Sequence, residues 1–373
     1  MFKKLIPLCV LAAFCMSLTE PPAKGKHQKV IIGYVGGYKG LANTYNIAAE
    51  KLTHINYAFV NVQHNRAVLG NEATDTVNFR HLNALKEKNP ALKIIISIGG
   101  WAWSENFSDA VLTDTSRTAF ATSAVDIVRK YKLDGVDIDW EYPAIPGEEG
   151  NIFRPEDTQN YTLMFQALRS SLDTLEKAVG KHLYLTCAVG GSKDFVDHTE
   201  MGKAAQYLDY VNLMTYDNYG GPVAGHHTSL YASKAYAAHG SADSTVQWFH
   251  AAGVPYSKLV MGIAFYGRGA IVADTSKRGL GDAVIKTTHG GGYTFLKDSL
   301  VNKKGFQEFH DETAKAAYLF NPTTHVFITY DDEWSVKNKC AYVISHNMGG
   351  VMFWEYDSDL KQYLLDQINK TLP

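Results

Sequence analysis

The stretch Leu133-Asp134-Gly135-Val136-Asp137-Ile138-Asp139-Trp140-Glu141-Tyr142-Pro143 sets four acidic residues among large apolar ones. In an extended strand side chains alternate faces, so Asp137, Asp139 and Glu141 share one face and Val136, Ile138 and Trp140 the other. Same-face neighbours lie roughly 6.5–7 Å apart at Cα, so carboxylates turned toward each other share protons rather than all ionise. Two plainer readings compete: a solvated edge strand and a divalent-cation site. Val136, Ile138 and Trp140 are too apolar for a ribbon with one wet side and no cover, which makes the strand central. Asp-Ile-Asp-Trp-Glu lacks the glycine and the ligand spacing of an EF-hand loop. Acid/base chemistry is the reading that uses the clustered carboxylates. Pro143 halts the strand and leaves Glu141 at its C-terminal end.

Outward from this strand, similar apolar runs recur, each followed by a segment of helical period. They are Val30–Val35, His54–Val60, Lys93–Gly99, Gly135–Glu141, His182–Val189, Asp209–Tyr216, Lys258–Phe265 and Gly349–Glu355. Between the third and fourth, Phe120, Ala124, Ile127, Val128 and Tyr131 keep the spacing of an amphipathic helix, with Asp114-Thr115-Ser116 available to cap it. Strands this continuously apolar, alternating with helices, predict a parallel α/β sheet covered outside and closed as a (β/α)8 TIM barrel. A doubly wound open sheet is the alternative, and it would leave two edges. The connection from Phe265 to Gly349 is far longer than a crossover needs. Gly290-Gly291-Gly292, Tyr318-Leu319-Phe320, the turn Asn321-Pro322-Thr323-Thr324 and His325–Tyr330 predict a hairpin-bearing insertion between strand 7 and strand 8. The expected division is a signal peptide over 1–17, a linker over 18–29, barrel over 30–267, the insertion over 268–330 and completion of the barrel over 331–373.

A net charge of -2 and 20% charged residues give no reason to expect nucleic acid or an anionic membrane surface as the main partner. Met1-Phe2-Lys3-Lys4, followed by the mostly apolar run Leu5 to Met16, has the form of a secretory signal peptide and is too short to span a bilayer. Export is expected, to the extracellular space or a periplasm, with a small-x-small cleavage site at Cys15-Met16-Ser17. Acylation of Cys15 as a lipoprotein anchor is disfavoured by the bulky Phe14 before it. Of the remaining cysteines, Cys187 and Cys340 read at least as well as buried free thiols as they do as a disulfide. The turn Tyr34-Val35-Gly36-Gly37-Tyr38 lacks the spacing of a nucleotide fingerprint, and no cofactor is assigned. His226-His227 lacks a third ligand at usable spacing, reads as an exposed loop feature, and gives no metal site.

In barrels of this kind function gathers at the C-terminal ends of the strands. Those ends read Tyr34, Phe59, Ser97-Ile98-Gly99-Gly100-Trp101, Asp139-Trp140-Glu141-Tyr142, Met214-Thr215-Tyr216-Asp217, Phe265-Tyr266-Gly267-Arg268 and Phe353-Trp354-Glu355. Aromatic faces suit the C–H faces of pyranose rings, while carboxylates, Tyr hydroxyls and Arg hydrogen-bond the rim. The segment from Asp134 through Asp137 and Asp139 to Glu141 resembles the DxxDxDxE signature of the family 18 glycoside hydrolases, the chitinases. Ser97-Ile98-Gly99-Gly100 is similar to that family's third-strand motif, Met214-Thr215-Tyr216-Asp217 to its sixth, and Trp354 to the Trp that ends its eighth. Phe265-Tyr266-Gly267-Arg268 followed by an insertion resembles the subgroup with an α+β insertion that walls one side of the cleft. Where many relatives carry a Trp soon after the first-strand Tyr, this chain has Tyr38.

The resemblance implies a secreted, retaining hydrolase of β-1,4-N-acetylglucosamine linkages in chitin and chito-oligosaccharides, needing no cofactor; a monomer is expected. Glu141 would act as general acid and then general base, and the sugar's own 2-acetamido oxygen as nucleophile. Asp139 would orient the acetamide N–H, and Asp137, held by Tyr34 and Ser97, would share a proton with it. Tyr216 would donate to the acetamide oxygen, and Trp354 would form the floor under the sugar beside Met214 and Asp217. Phe59, Gly100, Trp101, Tyr266 and Arg268 complete the expected substrate contacts. A lectin-like binder without turnover and an endo-β-N-acetylglucosaminidase acting on N-glycans are the alternatives on the same fold.

Overall fold

The computed structural model describes residues 29–218, 221–273 and 277–373. The expected signal peptide, and all of the expected linker except Lys29, lie outside the described residues. The strands in chain order are β1 (Val30–Gly36), β2 (His54–Gln63), β3 (Arg66–Leu69), β4 (Lys93–Gly99), β5 (Gly135–Asp139), β6 (Tyr184–Gly190), β7 (Tyr210–Met214) and β8 (Leu259–Ala264). They continue with β9 (Tyr266–Val272), β10 (Val284–Gly292), β11 (Gln307–Asp311), β12 (Ala316–Asn321), β13 (Val326–Tyr330) and β14 (Gly350–Trp354). Parallel pairing runs β1-β14-β8-β7-β6-β5-β4-β2, and β1 also pairs with β2, so the sheet closes into an eight-stranded barrel without edges. Strand β3, which folds back antiparallel on β2, has no counterpart among the sequence expectations.

The two faces of β5 separate as the alternation requires. Val136, Ile138 and Trp140 are buried outward among Phe107, Phe120 and Tyr161, where Trp140 stacks on Phe107 at 5.2 Å. Each large apolar side chain buried this way contributes about 1.5–3 kcal/mol. The inward face is filled by a smaller cluster that includes Tyr34, Ala58, Ala188, Val260 and Met352. The helix Asp114–Tyr131 covers this side of the barrel. Its cap is Thr113, one residue upstream of the expected segment, whose hydroxyl accepts from the Ser116 amide while Ser116 reciprocates. Cys187 and Cys340 are both buried and free. No helix among the described residues is long and apolar enough to cross a membrane.

Only Phe265 separates β8 from β9, where the chain leaves the barrel for a five-stranded antiparallel sheet of order β10-β9-β13-β12-β11. This sheet starts at Tyr266, two residues before the expected boundary, and carries a helical turn over Tyr293–Leu300. The return is fastened by a fully buried ion pair in which Lys339 Nζ lies 2.6 Å from Asp331 Oδ2. Thr228 and the Ala264 amide donate to the same Asp331 oxygen, and Ser335 to the other. One carboxylate thereby joins β8, the end of the insertion and the helix Glu333–Ser345.

Candidate active site

Registers in the barrel align the polar inward residues before any ligand is considered. Ser97 on β4 pairs with Asp137 on β5, and Asp137 with Thr186 on β6, so three inward side chains stand side by side. Asp137 Oδ2 accepts from Tyr34 at 2.9 Å and Ser97 at 2.8 Å; Oδ1 accepts from Thr186 at 2.5 Å and Asn212 at 3.2 Å. Burial raises its pKa, and the bonds from Thr186, Ser97 and Tyr34 counter that rise. Asp139, one strand period nearer the mouth, is buried with no donor on Oδ1. Burial, then the charges of Glu141 and Asp137, push its pKa well above the usual carboxylate range.

Glu141 lies two residues beyond the end of β5. Its amide donates to Ser104 Oγ at 2.9 Å, and Ser104 in turn donates to the Gly100 carbonyl at 2.8 Å. Burial and the Asp217 carboxylate raise its pKa to about 7, against a lowering contribution from Tyr142. Both shifts run toward the protonated form, and the two acids titrate as a pair. Asp134 belongs elsewhere: at the opposite end of the strand it accepts from the Ile94 amide and pairs with Lys86 and Lys181.

Above these acids opens a cavity of about 980 Å³ lined by Tyr34, Phe59, Trp101, Asp139, Glu141, Met214, Tyr216, Asp217, Tyr266, Arg268 and Trp354. Three of the residues singled out in the sequence do not line it. Asp137 and Ser97 lie fully buried beneath it, and Gly100 backs the Phe59 ring, where a Cβ would come within 2.6 Å of that ring. Phe59 and Trp354 stack at 5.5 Å, and Trp101, half exposed, stands edge-on to Tyr142 at 6.4 Å. Among the described residues the Tyr216 hydroxyl has one hydrogen-bond partner, the Met352 sulfur at 3.7 Å, a weak one that leaves it available to a ligand. Asp217 accepts from Tyr266 at 2.8 Å and from Arg268 Nε and Nη2, at 2.8 and 2.6 Å. Burial would raise its pKa, but His227 and Arg268 hold it well below the usual carboxylate range.

The pair His226-His227 is not an exposed loop feature: both rings are buried. The segment tucks under the insertion, with the His227 amide donating to Thr329 and the His226 amide to Tyr236. His227 Nδ1 lies 3.5 Å from Asp217 Oδ1, and its ring packs on Tyr266 at 5.3 Å. Thr186, Asn212, Ser104 and His227 are the site residues that sequence reasoning missed. For Thr186 and Asn212 a signal was there, a polar residue inside an apolar barrel strand.

Among the described residues, Glu308, His310 and Asp332 bring three ligand atoms within 4.8 Å of one another, outside this cavity. His310 is bonded to Asp332 at 2.6 Å, Tyr330 to Glu308 at 2.5 Å, and the other Asp332 oxygen caps the helix Glu333–Ser345. Each of the three is thus already engaged by a protein partner.

Residues 30–359 match the family described as glycosyl hydrolases family 18. The chain is 37% identical to chitinase A1 of Niallia circulans, over 96% of this chain and 60% of that protein. It is 33% identical to chitotriosidase-1 of Mus musculus, over 82% of this chain and 67% of that one. Among solved structures, a family 18 N-acetylglucosaminidase from Paenibacillus barengoltzii superposes with a TM-score of 0.86 at 40% identity, covering 92% of this chain and 100% of that one. With a closed barrel, acids stepping up β5 into an aromatic-lined mouth, and sequence likeness over almost its whole length, the chain belongs to the family 18 glycosyl hydrolases.

Proposed function

We propose that the cavity hydrolyses β-1,4-linked N-acetylglucosamine in chitin and chito-oligosaccharides with retained stereochemistry. The observation that carries this reading is the placement of Asp139, buried without a donor on Oδ1, and Glu141 one strand period above it, both lining an aromatic-walled cavity. Such a pair gives one group that donates a proton and one that accepts an N–H. An N-acetylglucosamine ring on Trp354 would bring its acetamide N–H to Asp139 and its acetamide oxygen to the Tyr216 hydroxyl. The acetamide oxygen then bonds to C1 as the C1–O bond to the next sugar breaks, and Glu141 protonates the departing oxygen. The cation formed is an oxazolinium whose N–H bonds to Asp139, while a second proton, shared by Asp139 and Asp137, sits on Asp137 and returns toward Asp139 when the ring opens. Water adds to C1, Glu141 takes its proton, and the acid is restored.

In this reading Tyr34 and Ser97 hold Asp137, while Met214 packs beside the acetamide. Asp217, fixed by Tyr266 and Arg268, borders the sugar. Phe59 and Trp101 offer apolar faces, and Gly100 lets Phe59 lie flat. The insertion walls one flank of the cleft, the enzyme acts as a secreted monomer, and its division into barrel and insertion follows 30–265, 266–330 and 331–373, the insertion opening with its first strand at Tyr266. Presence of the acid weighs against the lectin-like reading. Glu141→Gln should lower hydrolysis of chitotetraose about a thousandfold while binding persists. Near-normal turnover by that variant would overturn the assignment.

A further inference from the structure

The order of strands fixes a direction across the mouth. Counting either way around the closed sheet, β14 lies four strands from β5, so Trp354 and Glu141 stand at opposite sides of the opening. C1 and C4 are opposite corners of a pyranose ring. A sugar lying on Trp354 with its C1–O bond at Glu141 therefore points its C4 hydroxyl away from Glu141, toward the ends of β14 and its neighbour β1. The departing part of the chain extends the other way, over Trp101, which follows β4 beside β5.

At the C4 end stands a bridge of hydrogen-bonded side chains. The Tyr38 ring lies nearly parallel to Trp354, at 6.3 Å and 8°, and its hydroxyl donates to Glu355 Oε2 at 3.1 Å. Lys39 Nζ holds the other Glu355 oxygen at 2.5 Å. The seat of this bridge is tightly packed: a Cβ on Gly37 would fall 1.9 Å from the Tyr57 hydroxyl, and one on Gly36 would fall 3.0 Å from Glu355 Oε2. Beyond the bridge lies a second cavity of about 430 Å³, lined by Lys39, Glu355, Phe295 and Leu360 among others. It shares no lining residue with the catalytic cavity, which reaches Tyr38 but neither Lys39 nor Glu355.

We propose that the Tyr38–Lys39–Glu355 bridge closes the cleft behind a single sugar, so that the protein releases N-acetylglucosamine one unit at a time from the non-reducing end. The Tyr38 hydroxyl, the one group of the bridge that the catalytic cavity reaches, can accept from a terminal hydroxyl, with Lys39 and Glu355 holding it in place from behind, whereas a continuing chain would have to pass the bridge. This inference rests on the hydrolase reading above. It adds no chemistry: water is consumed, and the terminal glycosidic bond is the one that breaks.

The test uses chitobiose and chitopentaose tagged at the reducing end, with first products resolved by chromatography. Chitobiose should be cleaved to N-acetylglucosamine, and the tagged pentamer should give a tagged tetramer and free monosaccharide first. Replacing the wall, in Tyr38→Ala combined with Lys39→Ala, should join the two cavities and raise the ratio of disaccharide to monosaccharide among first products at least tenfold. Inert chitobiose with disaccharide released from longer oligomers would overturn the proposal, as would an unchanged ratio in a folded, active variant. If no oligomer of any length is cut, the hydrolase reading itself fails and this inference falls with it.

Discussion

A single pair of side chains, Glu141 and Asp217, sets the pH range in which the proposed chemistry can run. Glu141 must carry its proton to protonate a leaving oxygen, and with its pKa raised to about 7 that form is lost as pH rises through neutrality. The alkaline limb of kcat/KM on chitotetraose should therefore fall near pH 7. Asp217 is one cause of the raised value, because its charge opposes ionisation of Glu141. Asp217→Asn should accordingly move the alkaline limb to lower pH, besides lowering the rate through the lost bonds to Tyr266 and Arg268. A limb that stays in place, or moves upward, would remove Asp217 from any electrostatic role.

Among the elements, the helix Glu333–Ser345 depends most visibly on one buried interaction, the contact of Lys339 with Asp331. Burial lowers the Lys339 pKa, but the nearby carboxylate keeps the charge matched. Lys339→Ala would leave Asp331 charged in a site sealed from water, with only Thr228, Ser335 and the Ala264 amide as donors. The expected cost is about 3 kcal/mol, read as a lower denaturant midpoint; a change below about 1 kcal/mol would mean that water reaches the site. Nothing in the spacing of Thr228, Asp331 and Lys339 announces this contact, since it forms only once the insertion has folded back. Barrel strands were legible because each is a continuous apolar run with its own period, and β5 announced its acids by strict alternation. The hairpin strand β3 was missed, being four residues with two polar neighbours at its start, His64 and Asn65. His226 and His227 were misjudged because their burial comes from Thr329 and Tyr236, residues remote in sequence or held by a different loop.

At the scale of the whole molecule, buried groups of opposite habit limit stability from both sides of the pH scale. Glu141, raised to about 7, and Asp359, raised to about 6, are both pushed up chiefly by burial. A carboxyl whose folded pKa exceeds its unfolded one favours the folded state at low pH, and that contribution is lost as pH rises through the folded value, here between about 4 and 7. His54 acts from the acid side. Burial holds it neutral, lowering its pKa to about 3, so below about 6.5 the unfolded chain takes up a proton that the folded one refuses. Below about pH 4, Asp217 and Asp311 add to the acid side, because the contacts of Asp217 with His227 and Arg268, and of Asp311 with His226 and Ser233, favour the charged form. The two tendencies cross near pH 4.5, where the thermal midpoint should be highest, falling on further acidification and falling on the other side up to about pH 7, beyond which these groups leave it level. His54→Gln removes one source of the acid-side loss, since an amide takes up no proton in either state. Its midpoint should therefore rise more steeply than that of the natural chain as pH falls from about 6 to 5. A midpoint that climbs steadily to pH 9, or a variant that follows the natural slope, would show that these buried groups do not govern the balance.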